Sequence, residues 1–105
     1  MKGFGNLMKE AQKLQAQIEA LKEEAAKRRV EASAGGGMVV VEANGNQEIL
    51  AVKIDREVIT PDDPQMLEDL VLAAVNEALR KSREMVASEM SKLAGGLGGK
   101  LPGLF

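Results

Sequence analysis

The chain has 105 residues, with 14 Lys and Arg against 16 Asp and Glu, and a formal net charge of −2. It contains no Cys, His, Trp or Tyr, and Phe4 and Phe105 are its only aromatic residues. The lack of Cys and His excludes thiol and imidazole nucleophiles and the usual zinc ligands. Two Phe side chains are also too few to build the stacking platforms that hold single-stranded nucleic acids.

Neither a secretion signal nor a membrane span is predicted. The first residues contain no apolar core of the kind a signal peptide needs. No apolar run approaches the roughly 20 residues that a membrane-spanning helix requires. The absence of Cys fits a reducing compartment. We therefore expect a small cytoplasmic domain without a membrane partner.

The charge is distributed unevenly along the chain. Residues 1–29 carry a net +3, residues 30–75 a net −7 and residues 76–105 a net +2. Two mildly basic ends around an acidic middle suggest an anionic partner for the ends. The pattern matters only if folding brings the two ends together.

The strongest periodic signal lies near the start of the chain. Apolar residues recur there at alternating spacings of three and four, which is a heptad stripe. The pattern predicts a helix over about residues 4–29, and the narrow stripe favours packing against another helix. The stripe consists of Phe4, Leu7, Ala11, Leu14, Ile18, Leu21 and Ala25.

Three short segments then alternate with a period of two, which indicates strands at about residues 30–34, 38–43 and 48–55. The triple glycine at 35–37 reads as the first turn. The Asn-Gly-Asn sequence at 44–46 offers residues that tolerate positive φ, as a hairpin turn requires. Together these features predict an antiparallel meander of three strands.

A second long helix follows the strands. Asp63 is suited to cap its start and Pro64 to occupy its first position. Apolar residues carry the helix from about residue 63 to 94, and the apolar face of its first half is wide enough to cover a sheet. Residues 95–105 include five glycines, and we expect a disordered tail there, after a single domain at 1–94.

The predicted lengths favour a dimer. A strand of about six residues spans roughly 20 Å, whereas the two helices would span roughly 38 and 46 Å. The fold class expected is α+β in the order α-β-β-β-α, as a homodimer with protruding helical arms. The overhanging apolar positions would pack in the arms or the dimer: Leu7, Leu14, Ile18, Leu21, Met85 and Met90.

Enzymatic chemistry is not expected. The acidic pairs at 62–63 and 68–69 sit where a helix start favours caps and negative charge. Gly99-Lys100 lacks the preceding glycine and following hydroxyl of a phosphate-binding loop. We therefore predict no catalytic residue, cofactor, metal or small-molecule substrate.

The basic residues allow two interpretations. Glu77 and Glu84 lie within a turn of Arg80, so ion pairs could account for much of the second-helix cluster. If instead the helices pack antiparallel on one side of the sheet, the two basic ends meet at one tip that can contact DNA phosphates. No set of side chains for reading base edges is apparent. The candidate DNA contacts are Lys2, Lys9, Lys13, Arg80, Lys81, Arg83 and Lys92.

Several segments resemble the YbaB/EbfC family of bacterial nucleoid-associated proteins. The resemblance spans essentially the whole chain. It implies a homodimer in the nucleoid that binds double-stranded DNA, and it gives a DNA-binding role to Lys9, Lys13, Arg80, Lys81 and Arg83. The matching segments are Gly5-Asn6-Leu7-Met8-Lys9-Glu10-Ala11-Gln12, Gly37-Met38-Val39-Val40-Val41 with Asn44-Gly45, Val52-Lys53-Ile54-Asp55, residues 66–78 and Lys100-Leu101-Pro102-Gly103.

Two functions from different classes follow. The first is an architectural DNA-binding dimer that uses backbone and shape contacts, bends DNA and influences nucleoid organisation and gene expression. The alternative is a protein-interaction adaptor or chaperone-like dimer, whose Met- and Leu-lined arms clasp a partner protein.

Overall fold

The computed structural model describes residues 2–98 and confirms the α-β-β-β-α order. Most bounds lie within two residues of those expected. The part of the predicted tail at 99–105 lies outside the described residues. The elements are α1 (Lys2–Lys27), β1 (Arg29–Ala34), β2 (Val39–Asn44), β3 (Ile49–Ile54), a short 3-10 turn (Arg56–Val58) and α2 (Pro64–Gly98).

The sheet is the antiparallel meander that the sequence predicts. Its spatial order is β1-β2-β3, with β2 hydrogen-bonded on both sides. Gly35, Gly36 and Gly37 have φ values of 64°, 66° and 93°. Residues other than glycine rarely adopt such φ values, so the turn between β1 and β2 requires the triple glycine.

The second hairpin differs from expectation in its backbone. Positive φ occurs at Gln47, at 62°, and not in the Asn-Gly-Asn segment before it. The turn is held by the Asn44 side chain and not by a glycine with positive φ. The Asn44 Oδ1 accepts hydrogen bonds from the backbone N–H groups of Asn46 and Glu48 at 2.9 and 3.1 Å. Gly45 therefore has another role, described below.

Helix α2 starts as predicted and ends later. The Asp63 carboxylate accepts a hydrogen bond from the Met66 N–H at 3.1 Å, which confirms Asp63 as the cap. The helix continues to Gly98, so the expectation of a tail from residue 95 is wrong for 95–98. Glycine costs about 1 kcal/mol relative to Ala in a helix, but extending a helix that already exists avoids the cost of nucleation.

The core lies between α2 and the first two strands. Val39 and Val41 of β2 are fully buried, as are Ala74 and Ala78 of α2. The two small alanines allow the helix to approach the sheet closely. Val58 of the 3-10 turn, which the sequence did not predict, closes one end of this core.

Strand β3 is left largely uncovered on the side of the sheet that carries α2. Val52 pairs with Val41 and therefore points to the same face, yet Val52 is 44% exposed while Val41 is fully buried. A bulge leaves Leu50 as an extra residue in β3, and Ile49 and Leu50 are exposed as well. We call Ile49, Leu50 and Val52 the β3 apolar strip.

The opposite face of the sheet is polar. Arg29 and Glu42 form a cross-strand ion pair there at 3.3 Å. Lys53, which alternates with the residues of the β3 apolar strip, points to this same polar face. The exposed apolar residues of the β3 apolar strip and the polar face thus lie on opposite sides of β3.

Candidate nucleic-acid interface

Helix α1 is attached to the rest of the protein near its C-terminal end. Leu21 and Ala25 line a shallow recess together with Met85 and Val86 of α2. Beside it, the Arg28 guanidinium donates to the Glu89 carboxylate at 2.6 Å. We call residues 21–28 the arm root.

The arm root also rests on the second hairpin. The Gly45 N–H donates to the Ala25 carbonyl oxygen at 2.8 Å, and the same oxygen also accepts from the Arg28 N–H at 3.2 Å. A Cβ placed on Gly45 would lie 2.7 Å from both the Cβ and the carbonyl oxygen of Ala25. The backbone of the hairpin is therefore packed directly against the backbone of α1.

The remainder of α1 extends away from this attachment. Leu14 and Ile18 are half-buried, whereas every residue from 3 to 13 is exposed. We call residues 3–13 the distal arm. The protein measures 72 × 22 × 16 Å along its principal axes, which fits helices that project beyond a small sheet. Of the expected arm contacts, Leu14, Ile18, Leu21 and Met85 are half-buried, and Leu7 and Met90 are exposed.

Apolar and basic residues of the distal arm lie on opposite sides of the helix. Phe4 and Leu7 are 64% and 66% exposed and continue the stripe that packs at the arm root. Lys13 lies nine residues after Phe4, which is two and a half helical turns, and so points in the opposite direction. Lys9 lies near the same side as Lys13. The lysines therefore face away from α2.

Neither Lys9 nor Lys13 forms an ion pair within the described part of the chain. Residues 2–13 contain three lysines and one glutamate, so this end of α1 carries excess positive charge. Lys2 is the third of these lysines and the first residue of α1; its side chain lies outside the description. Unpaired exposed lysines are available to an external anion at little desolvation cost.

In the basic cluster of α2, unlike in the distal arm, Arg80 is paired with carboxylates. Arg80 donates to both Glu77 and Glu84. The hydrogen bond from Arg80 lowers the pKa of Glu77, and the same bond, with the two nearby carboxylates, raises the pKa of Arg80. The ion-pair interpretation of this residue is therefore confirmed. A phosphate that approached Arg80 would have to compete with two carboxylates already in place.

Two other candidates on α2 also have partners. The Lys81 Nζ donates to the backbone carbonyl of Glu31 in β1 at 2.9 Å. Lys92 lies 3.6 Å from the Glu89 carboxylate. Arg83 is exposed and forms no ion pair within residues 2–98.

Within the described residues of one chain, Lys9 and the basic residues at 80–83 lie at different levels along the molecule. Lys81 contacts β1, whereas Lys9 lies sixteen residues, or about 24 Å of helix, from Ala25 at the arm root. The cluster at 80–83 thus lies beside the sheet and away from the distal arm, so the expected shared tip does not include these residues. The distribution of charge along a sequence does not indicate which residues of two helices of unequal length lie next to each other.

The described residues offer neither a metal centre nor a membrane span. No group of three or more Asp, Glu, His or Cys side chains in residues 2–98 is placed to hold a metal ion. None of the helices in the described part of the chain is long and apolar enough to cross a bilayer.

A three-stranded meander under one long helix, with a second helix projecting and basic on its outer side, defines a small α+β protein with a helical arm. Residues 1–97 match the YbaB/EbfC DNA-binding family. The chain belongs to this family, whose members are nucleoid-associated DNA-binding proteins and not a class of enzyme.

Relatives match over nearly the whole length of the chain. A nucleoid-associated protein from Syntrophobacter fumaroxidans is 56% identical over 99% of this chain and 96% of its own length. Another from Acetivibrio thermocellus is 57% identical over 98% of this chain and 94% of its own. The crystal structure of an uncharacterized Helicobacter pylori protein shares the fold, with a TM-score of 0.62, 22% identity, and coverage of 83% of this chain and 96% of that one.

Two features of the site are not apparent in the sequence. The sequence predicts a turn role for Gly45, but its contact is with α1; an Asn-Gly pair fits either role and does not distinguish them. The alternation in β3 predicts an ordinary buried face, because alternation indicates which side a residue faces and not whether that side is covered.

Proposed function

We propose that this protein acts in the cytoplasm, in the nucleoid, as a homodimer that binds double-stranded DNA through its helical arms and catalyses no reaction. The observation that carries the proposal is the outer side of the distal arm. Lys9 and Lys13 are exposed there, one helical turn apart and without a carboxylate partner in the described residues. Family membership and the nucleoid-associated relatives support the same function.

The β3 apolar strip supports the homodimer. Val52 and Leu50 are 44% and 42% exposed on the face where the other strands are covered by α2. Leu72, 60% exposed, lies nine residues from Lys81 and thus on the opposite flank of α2 from β1. Several large exposed apolar side chains within one strand, as in the β3 apolar strip, indicate an interaction site. A second copy that covers it would double the number of arms.

The mode of DNA binding that we propose is contact with phosphates and with DNA shape. Lysine contacts a phosphate as a point charge and carries no sequence information by itself. Two arms on one dimer would grip a duplex at separated points, which favours bending where the sequence deforms easily. Such bending would influence nucleoid organisation and gene expression.

The acidic middle of the chain fits this orientation. Residues 30–75 carry a net −7 and form the sheet and the first part of α2. This body would be repelled by the phosphates while the distal arms are attracted. A net charge of −2 is therefore compatible with DNA binding, because attraction depends on where the charges are placed.

The test is a titration of duplex DNA at two salt concentrations. In Lys9→Ala/Lys13→Ala we expect about tenfold weaker binding and a smaller salt dependence, by up to roughly 0.9 in the logarithmic slope for each phosphate that is no longer neutralised. Lys53→Ala/Arg56→Ala is the matched control, because it removes the same charge from the body. Equal effects of the two variants would contradict binding by the arms.

One observation favours the adaptor function as a second candidate. Phe4, Leu7 and Met8 are exposed on the distal arm, on the side away from the lysines. An amphipathic helix of a partner protein could pack along this stripe. If that is the function, Phe4→Ala/Leu7→Ala should abolish co-purification of one defined protein, and wild-type protein should not bind duplex DNA at physiological salt.

A further inference from the structure

Gly45 follows Asn44 in a turn, but it is required there by its contact with Ala25 and not by its backbone conformation. Gly45 does not adopt a positive φ; among the described glycines only those at 35–37 do. The backbone conformation therefore does not require glycine at this position. What requires glycine is space, because a Cβ would lie 2.7 Å from the Ala25 carbonyl oxygen and 3.0 Å from its carbonyl carbon.

From this contact we infer that Gly45 is a positioning residue that sets the angle of the α1 arm and thereby where Lys9 and Lys13 meet DNA. The inference rests on the proposed function for its consequence in DNA binding. Its structural part, the control of arm angle, stands on the geometry of the arm root alone.

The arm has few other supports. Its attachment consists of Leu21 and Ala25 against α2, the Arg28–Glu89 ion pair and the Gly45 contact. Leu21 is half-buried and Arg28 is exposed, whereas Ala25 is only 6% exposed. Apart from Arg28, through which the chain continues into β1, the hairpin is the one backbone segment within residues 2–98 and outside α1 that hydrogen-bonds to the arm root. Side chains form the contacts of the arm root with α2.

The hairpin itself is held firmly in place. The Asn44 side chain closes the turn with two accepted hydrogen bonds and donates to Glu48 at 2.9 Å. The buried Ser82 hydroxyl ties the Asn44 carbonyl to α2 at 2.6 Å. Because the hairpin is fixed to the body and Gly45 is fixed in the hairpin, a side chain at position 45 would displace the arm and not the body.

The displacement would grow along the arm. Bringing a Cβ at position 45 from 2.7 Å to an ordinary contact of about 3.5 Å requires a shift of roughly 0.8 Å. With Leu21 as pivot, Ala25 lies about 6 Å away on one side and Lys9 about 18 Å away on the other. The shift at Lys9 is therefore about threefold larger, or ~2 Å. Since a salt bridge requires N–O distances within about 4 Å, this movement would weaken the contacts between the lysines and the phosphates.

The experiment uses Gly45→Ala, with Gly95→Ala as the matched control, because a Cβ on Gly95 meets nothing within 4 Å. The chain has no cysteine, so spin labels can be placed at Gln12→Cys on α1 and Ser91→Cys on α2. Dilution with unlabelled protein restricts the measured distance to one chain. We expect Gly45→Ala to shift this distance by about 2 Å and to weaken duplex binding roughly three- to tenfold, and Gly95→Ala to change neither.

A second variant covers the case in which Gly45→Ala does not fold. Arg28→Ala removes an exposed side chain that holds the arm root to Glu89. We expect it to broaden the distance distribution and to weaken DNA binding more than Lys53→Ala, which removes one charge from the body. Retention of the wild-type distance in folded Gly45→Ala would overturn the inference, as would retention of a narrow wild-type distance in Arg28→Ala if Gly45→Ala does not fold.

The outcomes for the two proposals are distinguishable. If wild-type protein does not bind duplex DNA at low salt, the proposed function fails, while a shifted distance in Gly45→Ala still establishes control of the arm angle. If the distance shifts but the affinity stays within about twofold of wild type, the arm angle does not position the DNA contacts, and that part of the inference is wrong.

Discussion

Ser82, in the middle of α2, donates its hydroxyl to the backbone carbonyl of Asn44 at a distance of 2.6 Å. Both residues are buried, and they lie 38 positions apart in the chain. The bond ties the end of β2 to the helix at the level where α2 leaves the sheet. Gly45, the next residue, supports α1. One short hairpin thus connects both long helices.

Removing this bond should destabilise the protein measurably. Ser82→Ala is expected to lower the free energy of unfolding by about 1 kcal/mol, because the Asn44 carbonyl keeps one other partner, the Gln47 N–H at 3.2 Å. Ser88→Ala, at an exposed position of the same helix, corrects for the higher helix propensity of Ala. Urea unfolding of both variants provides the comparison, and equal stability would show that the hydroxyl contributes nothing.

A larger destabilisation is expected at Asn44 itself. Its side chain makes three hydrogen bonds that hold the second hairpin. Asn44→Ala should cost about 2–3 kcal/mol, since each net hydrogen bond contributes roughly 1 kcal/mol. Asn46→Ala, whose side chain is exposed in the same turn, should cost much less. A difference below about 0.5 kcal/mol between them in thermal or urea unfolding would argue against this role of Asn44.

The proposed dimer can be tested on β3. Val52→Glu would place a carboxylate on the β3 apolar strip, where a second copy is expected to exclude water, so the dimer dissociation constant should rise by roughly a hundredfold or more. Lys53→Glu reverses a charge on the neighbouring residue, which points to the polar face. Sedimentation equilibrium measures both. A Val52→Glu protein that remains as dimeric as Lys53→Glu would place the interface elsewhere.

The carboxylates around Arg80 make a further prediction. Glu77→Gln/Glu84→Gln would release the guanidinium from its two partners. If Arg80 contributes to DNA binding, the affinity should rise about three- to tenfold and depend more steeply on salt. Glu57→Gln/Asp69→Asn changes the net charge equally at exposed positions of the body. The same rise in this control would mean that total charge, and not Arg80, is responsible.

The periodic elements could be predicted from the sequence because local sterics and burial determine them. The heptad stripe of α1, the alternation of β2 and the cap at Asp63 each depend on residues close together in the chain. The last turn of α2 could not be predicted in this way, because four consecutive helical residues at 95–98 have a composition typical of loops. A prediction from composition considers the glycines alone, whereas the helix that precedes them can extend into them without a new nucleation step.

The arrangement of the site depended on packing that no local pattern contains. The recess formed by Leu21 and Met85 fixes the level at which α1 meets α2, and this level separates Lys9 from Arg80. Likewise, the exposure of Val52 follows from the width of α2 relative to three strands. Both features depend on how the helices and strands are placed relative to one another in space, and a single sequence gives only the separation of residues along the chain.

The attachment of α1 at one end has a consequence for its backbone. A helix held only at its C-terminal turns should open from its free end, so the amides of residues 3–13 should exchange with deuterated solvent far faster than those of residues 21–27. A duplex held along the distal arm would slow this exchange residue by residue. Hydrogen exchange with and without DNA would then map the contact surface on the unmodified protein.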